Sequence, residues 1–306
     1  MGMLEAILLT IATAATPLLI AAMGELVVER SGVLNLGVEG MMVMGAVTGF
    51  VVAYSTGSPW LGMIAAVLMG AAFSLLFGFL TLTLVTNQVA TGLALTLLGL
   101  GLSGMMGRSF VGLPGVKMSA IYIPGLSDLP LVGKLVFGQD PIFYISIALV
   151  IGVSYFLFRT RAGLTLRSVG DSHKSAHALG IKVIAIRYAA VTFGGACAGL
   201  AGAYLSLVYV PQWVENMTAG RGWIALALVV FASWRPWRVL AGAYLFGAVT
   251  IGQLHAQALG LGIPSQLLSA LPYLATILVL VLISRNRRLT MMNTPASLGQ
   301  PFVPDR

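Results

Sequence analysis

Long apolar stretches separated by short polar ones constrain this 306-residue chain more than any other feature. Only 8% of its residues are Asp, Glu, Lys or Arg, against about a quarter in soluble domains. A helix needs about 20 apolar residues to cross the roughly 30 Å hydrocarbon core of a bilayer. We therefore predict an all-α, polytopic transmembrane helical bundle and not two soluble domains.

Nine segments are candidates to cross the membrane. Two are irregular: the run Met41 to Tyr54 is too short unless it recruits the polar residues before it, and Trp223 to Trp234 is only 12 residues long. Transporters place short or discontinuous helices along substrate pathways, because non-helical backbone inside a membrane must be covered by protein or water. The regular segments are 4–23, 60–85, 89–107, 141–158, 188–208, 237–256 and 267–284.

The net charge of +8 comes from basic residues at the ends of apolar runs. This placement favours a role in membrane orientation over nucleic-acid binding. If three basic clusters are cytoplasmic, the nine segments give the required even number of crossings between them and an external N-terminus. The clusters are Arg159, Arg161, Arg167, Lys174, Lys182 and Arg187; Arg235 and Arg238; and Arg285, Arg287 and Arg288.

The chain is expected to form one integral membrane domain over residues 1–292. That domain includes a cytoplasmic loop at 159–187 and an outer segment at 107–140 that packs on the bundle. The tail 293–306 contains three prolines and is predicted to be a disordered cytoplasmic segment.

A short helix is predicted inside the cytoplasmic loop. Asp171 or Ser172 can cap its start and Gly180 can end it. Because so short a helix is marginal in water, it needs a docking partner, either elsewhere in the chain or on another protein. An ordinary amphipathic connector is the alternative.

Small residues recur at four-residue spacing in the apolar run that follows this loop. Gly195 pairs with Gly199, and Ala198 pairs with Gly202. Such spacing lets helix backbones approach closely in lipid. The lone Cys197 lies in the same run and is interpreted as a small packing residue.

Apart from Glu5 at the edge of the first segment, Glu39 is predicted to be the only acidic residue inside a candidate span. A carboxylate at membrane depth is costly unless it is paired or lies in a wet cavity, so it is a functional candidate. Glu39 and Asn35 are candidates for the substrate pathway. Pairing of Glu39 with Arg30, or with backbone amides of a broken helix, is the structural alternative.

Gln253 and Gln257 share one helix face, since they are four residues apart. They are further candidates for the substrate pathway, where they could donate hydrogen bonds to a polar solute. A role in joining neighbouring helices is equally consistent with their spacing.

Enzyme signatures are missing from the sequence. Gly99, Gly101 and Gly104 fit G-x-G-x-x-G, but they lie in an apolar span with no preceding strand. The chain has neither a P-loop nor an H-E-x-x-H motif. We therefore predict no catalytic residue, cofactor-binding residue or metal ligand on this chain.

Three stretches resemble a known family. RAGLTLRSVGDSHKSAHALGIK and the residues after it, from Arg161 to Leu207, are similar to the signature region of permease subunits of ABC importers for ribose-like sugars, branched-chain amino acids and nucleosides. RSGVLNLGVEGMMVMGA, from Arg30 to Ala46, and GRGWIALALVVFASWRP, from Gly220 to Pro236, resemble the nucleoside branch. The similarity runs roughly from Leu4 to Arg288.

The resemblance implies that the segment 171–180 is the coupling helix, which inserts into a groove of a cytoplasmic ATPase. The family commonly starts this helix with an acidic residue, Asn and Pro, whereas this chain has Asp, Ser and His. Ser172 can replace Asn as a cap, but the fixed φ of proline is missing. The implied coupling residues are Asp171, Ser172, His173, Lys174, Ala176, Ala178, Leu179 and Gly180.

The resemblance also implies partners and a location in the bacterial cytoplasmic membrane. The chain would form half of a pathway with a second, usually different permease. It would receive nucleosides or related bases from a binding lipoprotein of the basic-membrane-protein type. ATP and Mg²⁺ would bind the separate ATPase and not this chain.

Two alternatives stay open at this point. A permease of the same family for a simple sugar such as ribose fits the composition equally well. A stand-alone secondary transporter with Glu39 as an ion-coupling carboxylate belongs to a different class, and it would require more intramembrane ionisable residues and inverted repeats. A membrane enzyme fits less well, because no nucleophile, base and metal ligands share a face.

Overall fold

The computed structural model describes residues 3–125, 127, 132–258, 264–284 and 293–304. Within these ranges the chain is helical, with one isolated β-bridge between Val111 and Trp213. The helices are α1 Met3–Arg30, α2 Val38–Thr56, α3 Pro59–Gly78, α4 Gln88–Gly107, α5 Val132–Phe137, α6 Pro141–Arg159, α7 Arg161–Asp171, α8 His173–Ala178, α9 Val183–Tyr204, α10 Arg221–Phe231, α11 Pro236–Ala258 and α12 Ser265–Ser284. Helices α3 and α9 continue into π-helical turns at Phe79–Thr83 and Leu205–Tyr209.

Seven described helices are long and apolar enough to cross a membrane: α1, α2, α3, α4, α6, α9 and α11. Helix α10, with 11 residues, and α12, with 20 residues, occupy the other two predicted segments. The all-α polytopic bundle with short segments is therefore confirmed. The chain is a multi-pass membrane protein.

Side-chain caps define where several long helices begin. The Asn87 carboxamide accepts a hydrogen bond from the Ala90 amide at 3.0 Å and starts α4. The Asp140 carboxylate does the same for α6 through the Phe143 amide, also at 3.0 Å. Each cap satisfies an amide that has no partner within its own helix.

Helix α9 forms the centre of the bundle and packs against α1, α2 and α3. The approach is so close that a Cβ built on Gly45 of α2 would lie 2.5 Å from the Gly199 Cα of α9. A Cβ on Gly202 would overlap the Met42 carbonyl, and Cys197 is buried against Gly24 of α1. The predicted packing through small residues at four-residue spacing is confirmed.

The described part of the outer segment packs on the bundle as expected. The Met118 amide donates to the Leu207 carbonyl and the Gly115 amide donates to the Pro211 carbonyl, both at 3.0 Å. The Met118 side chain is buried.

Three regions differ from the expectations. Helix α1 continues to Arg30, so the carboxylates of Glu25 and Glu29 lie inside a helix and are buried. Naming Glu39 as the only acidic residue inside a span was therefore wrong.

The first half of the predicted loop 159–187 is helix α7, which buries Leu166 and Val169 on one face.

The tail is the third difference. Residues 293–304 were predicted to be disordered, yet they lie against α7, α8 and the end of α1. The Ser297 amide donates to the Gly170 carbonyl at 2.9 Å, and the Gly299 amide donates to the Gly32 carbonyl at 3.0 Å. The carbonyls of Gly170 and Gly32 thus bind tail amides that water would bind in a disordered segment. The predicted basic cluster at 285–288 lies outside the described residues.

The glycine packing predicts that Gly199→Leu destabilises the bundle, because the new side chain would enter the backbone of α3 at Ala66 and Gly70. Overpacking of this kind costs about 1–3 kcal/mol or more. Thermal unfolding in detergent measures the loss. Gly101→Leu is the matched control, because nothing lies within 4 Å of a Cβ on Gly101; equal melting temperatures for the two variants would contradict the packing account.

Candidate functional site

The connection between α1 and α2 is irregular backbone that is buried inside the protein. Val33 and Asn35 are fully buried. The Asn35 side-chain oxygen accepts a hydrogen bond from the Gly37 amide at 3.0 Å, which forms an Asx turn just before α2. The Leu34 amide donates to the Gln88 side-chain oxygen at 2.9 Å. Side chains thus satisfy backbone groups that a helix would otherwise pair.

Glu39 lies in the first turn of α2 and is 2% exposed. Its Oε1 accepts hydrogen bonds from the Thr218 hydroxyl at 2.6 Å and the Gly220 amide at 2.8 Å. Its Oε2 accepts from the Gly222 amide at 2.6 Å. The carboxylate therefore sits between the N-termini of α2 and α10, where both helix dipoles favour a negative charge.

Two glycines allow the chain to approach this carboxylate. Gly220 has a φ of +81°, a conformation that glycine adopts without strain. A Cβ on Gly222 would lie 2.7 Å from the Glu39 Oε2. The glycines at positions 220 and 222 are thus required by the local geometry.

The structure pairs Glu39 with backbone amides and not with Arg30, but these amides belong to the start of α10 and not to the helix that contains Glu39. Arg30 instead donates to the Trp234 carbonyl and the Asn293 carbonyl, each at 3.0 Å. Glu39 therefore joins α2 to α10, and Arg30 joins α1 to the α10–α11 turn and the tail.

A pair of buried acidic side chains, Glu25 and Glu29, lies on α1 beyond the end of the predicted segment 4–23. The Glu29 Oε2 accepts a hydrogen bond from the Trp234 indole nitrogen at 2.5 Å. The Glu25 Oε1 accepts from the Asn35 amide at 3.3 Å. Their four-residue spacing and the lack of glycine or proline between them were signals of a continuing helix.

The four candidates for the substrate pathway are held by different helices. Asn35 and Glu39 lie between α1, α2 and the start of α10. Gln253 and Gln257 are half-buried on α11, which packs on α1, α6, α10 and α12. Their role in solute binding stays a prediction.

The predicted coupling segment contains α8. Ser172 is its cap, since the Ser172 Oγ accepts a hydrogen bond from the Ser175 amide at 3.3 Å. Asp171, the other predicted cap, is the last residue of α7. Gly180, with a φ of +80°, lies just beyond the helix and follows the expected C-terminal pattern.

Helix α8 has a buried face and an exposed face. His173 and Ala176 are buried, so Ala176 contacts its own chain and is not on the outer face. Lys174, His177 and Ala178 are exposed, and Leu179 beyond the helix end is 81% exposed. Leu179 is therefore a large apolar side chain that its own chain leaves uncovered at the tip of this turn.

Burial lowers the pKa of His173 below its ordinary value, and the nearby cations of Arg187 and Lys174 lower it further. The Arg187 Nη2 lies 3.3 Å from the His173 Nδ1. A neutral imidazole is compatible with this contact, because Nδ1 can then accept a hydrogen bond from the guanidinium.

The Glu39 geometry predicts that Glu39→Ala destabilises the membrane domain by about 3 kcal/mol or more, because three buried donors lose their acceptor. Glu39→Gln retains one acceptor oxygen, so we expect an intermediate loss. Thermal unfolding in detergent is the measurement, with Glu215→Ala as control, since Glu215 is an exposed carboxylate in the same loop. Equal stability of the Glu39→Ala and Glu215→Ala proteins would refute the bridging role.

The comparisons with known proteins agree with this architecture. The family model described as the branched-chain amino acid transport system permease component matches residues 7–283. A putative glucose ABC transporter permease of Haloferax volcanii is 42% identical over 94% of this chain and 94% of its own length. A nucleoside ABC transporter permease of Lactococcus lactis is 34% identical over 87% of this chain and 88% of its own length.

A guanosine ABC transporter permease of Bacillus subtilis is 33% identical over 94% of this chain and 93% of its own length. A solved structure of a putative metal-chelate type ABC transporter in an inward-facing conformation has a TM-score of 0.52 at 16% identity, covering 90% of this chain and 84% of that one. That likeness shows a shared fold. From the family match and these relatives, the chain belongs to the permease components of branched-chain amino acid type transport systems and is a permease subunit of an ABC transporter.

Proposed function

We propose that this chain forms half of the translocation pathway of an ATP-driven importer in a bacterial cytoplasmic membrane. A second permease subunit would supply the other half, and a binding lipoprotein would deliver the solute outside. A separate ATPase would bind ATP and Mg²⁺ and dock on the segment 171–180. The exposed face of α8 with Leu179 at its tip is the observation that carries this proposal.

The surroundings of α8 support a role in transmitting force. Only four residues separate α8 from α9, the central helix of the bundle. Helix α9 contacts α1, α2 and α3 at glycines. At these positions the helix backbones lie so close together that no side chain fits between them. Displacement of α8 by an ATPase would therefore move α9 together with the helices packed on it.

The proposed solutes are nucleosides or related bases, with a simple sugar as the second candidate. Two relatives carry nucleoside or guanosine in their names, and the relative at 42% identity carries glucose. Both classes are neutral and rich in hydrogen-bonding groups. Asn35, Gln253 and Gln257 are the neutral polar side chains proposed to line their path, with Glu39 as a neighbour.

The stand-alone, ion-coupled transporter is not favoured. Relatives that cover most of the chain are ABC permeases. The Glu39 carboxylate is also fully occupied by two amides and a hydroxyl, so an ion would have to displace bonds that hold α10 in place.

Leu179→Asp is expected to weaken ATPase binding at least tenfold and to abolish ATP-driven uptake, because a charge would enter an apolar pocket on the partner. The residue is exposed, so the permease itself should fold normally. Copurification and uptake in proteoliposomes measure both effects. Leu164→Asp is the control, since Leu164 is an exposed leucine on α7 outside the coupling segment. Unchanged ATPase binding by Leu179→Asp would refute the docking site.

Competition assays distinguish the two solute classes. The assembled importer, with its binding protein, is expected to take up labelled guanosine or uridine, and excess unlabelled nucleoside should abolish this uptake while glucose and ribose should not. Uptake of glucose or ribose that nucleosides leave unaffected would establish the sugar alternative.

A further inference from the structure

The ordered tail binds the end of the bundle that carries α7 and α8. We name residues 293–304 the C-terminal strap. The Asn293 carbonyl accepts from Arg30 of α1, and Ser297 donates to the Gly170 carbonyl of α7 through both its amide and its hydroxyl. Further along, the Gly299 amide donates to the Gly32 carbonyl. The strap thus contacts the end of α1, the beginning of the α1–α2 connection and the end of α7.

Arg187 joins the strap to the remaining elements. It lies on α9 and is almost fully buried. Its Nε donates to the Ser31 carbonyl at 3.2 Å, and its Nη1 donates to the Gln300 carbonyl at 3.2 Å. Its Nη2 faces the His173 Nδ1. One guanidinium therefore contacts the end of α1, the strap and the first residue of α8.

Phe302 is the hydrophobic anchor of the strap. Its ring centroid lies 5.2 Å from that of His173 and 5.3 Å from that of His177, so it packs across one side of α8. The Phe302 side chain is buried and shares a small apolar core with Val169, Ala176 and other residues around α8. This core lies apart from the main core clusters of the bundle.

We propose that the C-terminal strap is a positioning element of the coupling apparatus, which fixes α8 so that Leu179 is presented to the ATPase. This inference rests on the proposed function. A helix of six residues has little stability of its own. Phe302 packs against the buried face of α8, and the opposite face is exposed. Without the strap, Ala176 and His173 would lose their cover and α8 would lose its fixed orientation.

The His173–Arg187 contact makes the strap sensitive to pH. The facing charges are Arg187 from α9 and Lys174 on α8 itself, with His177 one turn away. Residues 293–304 contain no ionisable side chain. The pKa of His173 is lowered in the docked state, so a detached α8 binds more protons. Docking is therefore fully stable above about pH 6.5 and weakens as the pH falls below that value.

The test uses the full-length chain in nanodiscs and the purified ATPase of its transporter, with affinity measured as a function of pH. We expect Phe302→Ala to weaken ATPase binding at least fivefold, because the inner face of α8 is uncovered. Phe302→Tyr retains the ring and should restore most of the affinity. The matched control is Val303→Ala, which removes an exposed neighbour and should change affinity less than twofold.

A second variant keeps the test decisive if Phe302→Ala does not fold. His173→Gln retains an oxygen that can accept from Arg187 but removes the titration. Its ATPase affinity should fall less between about pH 8 and 5 than that of the unmodified chain, because the titration of His173 is removed.

The outcomes separate this inference from the proposed function. An unmodified chain that binds no ATPase would overturn both. An unmodified chain that binds ATPase, together with a folded Phe302→Ala protein of equal affinity, would overturn the strap alone. A pH profile of ATPase affinity that is the same for His173→Gln as for the unmodified chain would also contradict the strap proposal.

Discussion

The membrane part of this protein depends on the hydrogen bonds that the buried Glu39 carboxylate accepts. Two helices begin beside it, and their dipoles, together with the Gly220 and Gly222 amides at the start of α10, supply the positive potential that a buried negative charge needs. In return, the carboxylate satisfies amides that would otherwise face hydrocarbon without partners. This exchange allows α10 to be only 11 residues long and to start inside the protein. The irregular backbone before α2 is stable for a similar reason, since the side chains of Asn35 and Gln88 bind it.

The glycine contacts of α9 extend this local arrangement to the whole bundle. Backbones that touch directly cannot rearrange by rotating side chains, so α1, α2, α3 and α9 are expected to move as a unit. The end of that unit that we propose to be cytoplasmic carries α8 and the strap, both held by the buried Arg187. A physical route therefore connects the surface proposed to bind the ATPase with the buried, broken helices.

Apolar run lengths were sufficient to predict helices at the nine segments, seven of which are long and apolar enough to cross a membrane among the described residues. The Ser172 cap and the small residues of α9 followed from local rules. The failures have physical causes. The first helix was predicted to end before Glu25 and Glu29, but it continues through both residues. Their buried carboxylates bind Asn35 and Trp234, and Trp234 is about 200 residues distant in sequence. The proline-containing tail is ordered by carbonyls of residues 32 and 170, which composition cannot reveal. Ala176 was assigned to the partner surface, but Phe302 covers it.

Purification of the tagged chain from mild detergent, with mass spectrometry of the stoichiometric partners, tests the central claim most directly. The account predicts an ATPase in equimolar or near-equimolar amount together with a second permease subunit. Loss of the ATPase alone on mutation of the exposed face of α8 would assign its binding site. Recovery of the chain by itself, under conditions that keep other membrane complexes intact, together with gradient-driven uptake by the isolated chain, would contradict the account.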